Sequence, residues 1–186
     1  MIAVVHGPIG CGKSTALREW LTRGGWSDLR GYRTFFDSAS GTIRLASWYG
    51  RIECSIARRE GGVNCHHAFA FNPAYGPSLH VFLDEAFSGG HAAFAVQPPV
   101  PVVSEPVSSP WQMDAGCFWS AVMECLAGEN SRPIVIDELG VLETLQENMD
   151  AVALGKMVRA IRAASRAILV VQERAWTFWK GQIAAD

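Results

Sequence analysis

The stretch Ile2-Ala3-Val4-Val5-His6-Gly7-Pro8-Ile9-Gly10-Cys11-Gly12-Lys13-Ser14-Thr15 decides the fold. Ile2 to His6 is an apolar run rich in β-branched residues, which reads as a buried strand. Gly7 to Ser14 then fits G-x-x-x-x-G-K-[ST], a loop whose glycines let the backbone N–H groups curl around phosphates. In that pattern Lys13 reaches the β/γ-phosphates, the Ser14 hydroxyl ligates Mg²⁺, and the following helix presents its positive end. A strand before and a helix after are the context the motif demands, so a chance match is the weaker account. The chain is expected to bind a nucleoside triphosphate.

The helix is predicted over Lys13 to Arg23, where Leu17, Trp20 and Leu21 fall on one face and Gly24-Gly25 ends the pattern. Tyr32 to Asp37 and Thr42 to Trp48 read as strands around the turn Ser38-Ala39-Ser40-Gly41, with Ile52 to Arg58 as a third. From Gly61 to Pro110 the prolines and glycines break every periodicity, so a loop-rich insertion is expected at about 61–110, its aromatics packing on the rest. It would serve as a lid, a wall of the pocket or a structural insertion. Asp114 is a candidate N-cap for a helix carrying Phe118, Val122, Cys125 and Leu126 on one face. Asp150 to Ala164 repeats the pattern with Leu154, Met157, Val158 and Ile161, and Ala167 to Val171 is a last apolar strand. Strands alternating with helices imply a three-layer α/β/α domain over 1–186, with a mostly parallel sheet and an antiparallel hairpin. Ligands of such sheets bind at the C-terminal ends of the strands.

Pro133 to Glu138 is a short apolar strand that delivers Asp137 and Glu138 to that edge. An aspartate there suits a Mg²⁺ held from the protein side, and a neighbouring glutamate can orient or deprotonate an attacking water. The candidate metal ligands are therefore Ser14 and Asp137. The alternative is a polar turn after a strand, which the distant phosphate loop makes the weaker reading. Gln172, Glu173 and Arg174 follow the last strand at the same edge, and Arg174 is a candidate for the cation that stabilises charge on the terminal phosphate.

Asp137-Glu138-Leu139-Gly140-Val141-Leu142-Glu143, taken with Gly7 to Thr15, resembles the THEP1-like nucleoside-triphosphatases, whose second motif has the form D-E-I-G-x-M-E. The resemblance implies an ASCE-type P-loop fold and hydrolysis of NTPs with little base preference. Carried over by position, Gly7, Pro8, Ile9, Gly10, Cys11, Gly12, Lys13, Ser14 and Thr15 would serve the phosphates and Mg²⁺, Asp137 the ion and Glu138 the water. Gly140 would let the backbone approach the γ-phosphate. The family usually places a threonine and an acidic, arginine-bearing stretch after its second strand. Here Thr34-Phe35-Phe36-Asp37 stands there, without a matching arginine.

Two other readings use the same loop. A P-loop kinase would pass the γ-phosphate to a nucleoside or small metabolite under a lid that Arg58-Arg59 or the region after Gly61 would supply, whereas adjacent Asp137-Glu138 favours water. A slow NTP-gated accessory protein would present the aromatic insertion and an exposed tail, Trp176, Phe178 and Trp179, to a protein partner. Asp137 to Gly140 also satisfies the D-x-x-G of regulatory GTPases, but no N-K-x-D or T-K-x-D reads guanine.

Bulk properties fit these readings. Over 186 residues, 49% hydrophobic and 18% charged content allows a sizeable core, and a formal charge of −2 provides no general attraction to nucleic acid or an anionic membrane. The 3 lysines, Lys13, Lys156 and Lys180, stand against 13 arginines, so the loop lysine is not drawn from an abundant background. The 5 cysteines lack C-x-x-C spacing, which together with no signal-like N-terminus makes the cytoplasm the expected compartment. Cys65-His66-His67 lacks a second ligand pair for zinc, and Cys11 is either an activated thiol or a filler of a variable position.

Overall fold

In the computed structural model, which describes residues 1–8, 10–50, 52–59, 76–89, 92–95 and 111–184, the apolar runs form one eight-stranded sheet. In chain order its strands are β1 (Ile2–Gly7), β2 (Arg30–Asp37), β3 (Thr42–Ser47), β4 (Glu53–Arg59), β5 (Ala92–Ala95), β6 (Trp111–Met113), β7 (Ile134–Leu139) and β8 (Ala167–Gln172). The spatial order is β5-β1-β8-β7-β2-β3-β4-β6. From β5 to β2 the neighbours run parallel, and from β2 outward they alternate. This is the mixed α/β architecture expected: β4 is the third strand read from Ile52 to Arg58, and β6 adds one further antiparallel strand.

The parallel strands are apolar along their whole length because both faces are covered. Val5, Val135, Ile168 and Val170 face α1 (Lys13–Arg23) and α2 (Gly76–Gly89), alongside Leu17, Trp20, Leu79 and Leu83. Ile134, Ile136, Leu169 and Val171 face the other way, toward α3 (Ala115–Leu126), α4 (Ala151–Ala163) and α5 (Trp176–Ala184). Neighbouring residues of one strand thus belong to different clusters, as the two-residue period of a strand requires.

Local chemistry explains the boundaries. Asp114 caps α3 by accepting the Cys117 N–H at 2.8 Å, and Asp150 caps α4 through the Val152 and Ala153 N–H groups, both at 2.9 Å. At the end of α1 the left-handed residue is Gly25 (φ 64), with Gly24 still helical. Gly31 permits the close approach of β2 to β7, since a Cβ there would lie 2.1 Å from the Val135 carbonyl oxygen and φ is +106.

Two expectations are corrected. The stretch read as loop-rich contains α2, whose Leu79, Leu83 and Ala86 are buried, and the edge strand β5, which pairs with β1. Pro77 sits near the start of α2, where its missing N–H costs no helical bond. Residues 60–75, 90–91 and 96–110, including Cys65-His66-His67, lie outside the described residues. The tail is not an exposed surface either: Trp179 is fully buried within α5, and Trp176 and Phe178 are half-buried against the same core. Trp176 also stacks on His6, with ring centroids 4.5 Å apart. Among the described residues no helix is long and apolar enough to cross a membrane.

Candidate active site

Parallel strands place their C-terminal ends on one edge: Gly7 and Gln172 pair at the ends of β1 and β8, and Asp137, paired with Val170, stands two residues before the end of β7. The loop leaving β1 turns through Gly10 (φ 77) and Gly12 (φ 94), conformations that side chains rarely adopt. Ile9, one of the expected loop residues, lies outside the described residues. Lys13 then opens α1, immediately behind Gly12.

Lys13 is buried, and its ammonium donates to the carbonyl oxygens of Gly7 at 2.9 Å and Pro8 at 2.7 Å. It also lies 3.7 Å from Glu138 Oε1. One residue on, Ser14 Oγ donates to Asp137 Oδ1 at 2.5 Å, a bond between residues 123 apart. The two motifs read from opposite parts of the chain therefore meet through two neighbouring contacts. Thr15 is half-buried in the first turn of α1, and Cys11 is buried in the α1–α2 core, which suits a filler of a variable position better than a reactive thiol.

Asp137 is 2% exposed, and burial pushes its carboxyl up to about 6. The Ser14 hydrogen bond opposes that rise, Glu138 adds to it, and Arg18 and Lys13 draw it down. A buried carboxylate bonded to a hydroxyl is a set of hard oxygen donors suited to Mg²⁺. Among the described residues no three His, Cys, Asp or Glu side chains form a metal cage. A Mg²⁺ on Ser14 and Asp137 would complete its shell from phosphate and water, the habit of this ion.

The glycine of the second motif is explained by crowding. A Cβ on Gly140 would lie 3.1 Å from both Gln172 Nε2 and Glu143 Oε2. Its backbone groups are engaged as well: the N–H donates to Glu143 Oε2 at 3.0 Å and the carbonyl accepts from Trp179 Nε1 at 3.4 Å. The expected role of Gly140 as a γ-phosphate contact thus meets an amide already bonded within the protein. Glu143 is buried, and that burial, with the Glu138 charge behind it, raises its carboxyl to about 7 against the opposing pull of backbone amides. Neither Glu143 nor Arg18 was assigned a role from the sequence. The motif spacing contained the first, and the second stands one helical turn after Ser14, with its Nε on the Ser14 carbonyl at 3.2 Å.

Arg174 lies in the 3-10 turn Glu173–Ala175 that follows β8 and is exposed, while its neighbour Glu173 pairs with His6 at 2.9 Å.

No family model matches the sequence, and no curated protein sequence does. A solved structure, that of THEP1 from the hyperthermophile Aquifex aeolicus, aligns with 100% of this chain and 84% of its own, at a TM-score of 0.55 and 14% identity. The chain has the THEP1 fold. That agrees with the resemblance carried by Gly7 to Thr15 and Asp137 to Glu143, and the alignment runs over the whole chain, where the motifs and the order of elements had suggested about half. At 14% identity it speaks for the arrangement of elements, and the chemistry rests on the residues themselves.

Proposed function

We propose that this chain hydrolyses nucleoside triphosphates to the diphosphate and phosphate, with Mg²⁺ and with little preference for the base. The observation that carries this reading is the Ser14–Asp137 hydrogen bond beside the Lys13–Glu138 contact, which groups a phosphate-loop hydroxyl, an ammonium and two carboxylates. The triphosphate lies along the loop from Gly7 to Thr15, with the amides and the α1 terminus turned to its oxygens. Lys13 exchanges the Gly7 and Pro8 carbonyls for β- and γ-phosphate oxygens. Ser14 and Asp137 would hold the cation, which would supply positive charge to the polyphosphate. Glu138 accepts a hydrogen bond from the attacking water and takes its proton as the bond to phosphorus forms. Gln172, between the two motif strands, is placed to donate an amide hydrogen bond at the same edge.

The test is phosphate release from ATP, GTP, CTP and UTP by the purified chain, with and without Mg²⁺, beside Glu138→Gln. Similar rates on all four, dependence on Mg²⁺, and a loss of about 10²- to 10³-fold in the variant with nucleotide binding retained are expected. Turnover by Glu138→Gln at the wild-type rate would remove Glu138 from the mechanism. Phosphate transfer only to an added hydroxyl acceptor would replace the hydrolase by a kinase.

A further inference from the structure

We propose that Arg33, in the middle of β2 where its ladder with β7 ends, is the catalytic cation that stabilises the transferring phosphoryl group from within the chain. The inference rests on the hydrolase reading above and supplies the arginine that its motifs leave unassigned. Arg33 is the register partner of Asp137, the last pair of the β2–β7 ladder. Register partners on adjacent strands project to the same face of a sheet. That face is fixed independently: Val135, two residues before Asp137, packs in the α1 cluster, whereas Tyr32, next to Arg33, packs in the opposite one. Arg33 therefore belongs to the face on which Ser14 meets Asp137. Adjacent strands are about 4.8 Å apart, less than an extended arginine side chain, so the guanidinium can reach the space over Asp137 from β2.

Its bonding sets it apart. The half-buried Arg44 is held by Glu53 at 3.2 Å and Asp37 at 3.7 Å, Arg132 by Asp28 at 2.6 Å, and the buried Arg30 by the carbonyls of Leu126 and Gly128. The Nε atoms of all four are enclosed without a hydrogen-bond partner; what distinguishes half-buried Arg33 is that it makes no ion pair among the described residues. Its guanidinium rests over the Phe35 ring, 5.3 Å from the centroid. A ring on the same strand face is a resting place that an anion easily outcompetes, since it offers no hydrogen-bond acceptor in the plane of the fork.

The site also needs such a charge. Asp137 and Glu138 bring two carboxylates close to a polyphosphate, against Lys13 and the cation. As the water oxygen bonds to the γ-phosphorus, the bond from phosphorus to the bridging oxygen breaks, its electron pair leaves with the diphosphate, and the water proton passes to Glu138. Charge spreads over the equatorial oxygens in that step, where a planar guanidinium donates two bonds at once. Arg174, exposed in its turn, has its charge screened by water and lacks this enclosure.

The experiment compares Arg33→Ala, Arg33→Lys and Arg174→Ala with the wild type in three measurements: turnover, affinity for a fluorescent NTP with Mg²⁺, and affinity for NDP with Mg²⁺ and aluminium fluoride, a mimic of the transferring group. Arg33→Ala is expected to lose about 10²- to 10³-fold in turnover, to change NTP affinity by under about threefold, and to bind the fluoride complex at least about tenfold more weakly. Arg33→Lys restores little, because a point charge cannot make the bidentate contact. Unchanged turnover, a parallel loss of NTP and fluoride-complex affinity, or a loss in Arg174→Ala as large as in Arg33→Ala overturns the assignment. The fluoride titration reads Arg33 even if the wild type releases no phosphate, so failure of the hydrolase reading is seen separately.

Discussion

Replacing Glu143 by glutamine should make the fold more stable at neutral pH. Glu143 is 6% exposed, and its Oε2 accepts the Gly140 N–H at 3.0 Å. Burial, partly offset by backbone hydrogen bonds and reinforced by Glu138, moves its carboxyl from 4.5 to about 7. Between those values the folded chain keeps a proton that the unfolded chain has released. The stability this proton contributes is complete below 4.5 and is lost as the pH rises through about 7. At about 1.4 kcal/mol per decade of difference, the loss comes to about 3 kcal/mol. Glutamine has no proton to lose and keeps an oxygen for the Gly140 N–H. Urea unfolding of both proteins without Mg²⁺, at about pH 4.5 and about pH 8, measures the effect. Asp137, raised in the same direction, is present in both and cancels. The variant should gain about 3 kcal/mol on the wild type between the two conditions. Parallel pH profiles would mean that Glu143 is already ionised in the fold, and that burial does not govern this carboxyl.

Two further outcomes follow from packing. Gly31→Ala puts a Cβ 2.1 Å from the Val135 carbonyl oxygen at φ +106, and a cost of at least about 2 kcal/mol is expected in urea unfolding; a cost near zero would show that β2 and β7 can separate freely. Trp179→Ala removes a fully buried side chain and its bond to the Gly140 carbonyl, so a loss of about 3–5 kcal/mol is expected by the same measurement, and a loss under about 1 kcal/mol would detach α5 from the core.

What the sequence reveals of this fold is what is encoded locally. The helix from Lys13 to Arg23 coincides with α1 because both of its ends are written in glycine and its buried face repeats at i, i+3 and i+4. Asp114 and Asp150 mark their helices because capping is a contact between near neighbours. α2 and β5 were hidden because the surrounding prolines and glycines outweighed their short patterns, and α5 because its nine residues make roughly two and a half turns, too few for a periodicity to stand out. Arg33 was invisible for a different reason. Its relation to Asp137 exists only in the pairing of β2 with β7, strands that are neighbours in space and remote in sequence.

The acidic pair poses the sharpest test of reading chemistry from a strand. Successive residues of a regular strand point to opposite faces, so Asp137 and Glu138 ought not to serve one site. The buried residues of β7 on the α3 side are Ile134, Ile136 and Leu139, an interval of two followed by an interval of three. That extra step coincides with the register change against β8, where Asp137 pairs with Val170 and Leu139 with Val171, leaving Glu138 unmatched as in a β-bulge. The irregularity releases Glu138 from the alternation and lets its carboxylate come within 3.7 Å of Lys13 while Asp137 holds Ser14. A bulge next to a reactive site re-aims a side chain that the regular pleat would turn away, and here it brings the second carboxylate to the loop that the first already faces.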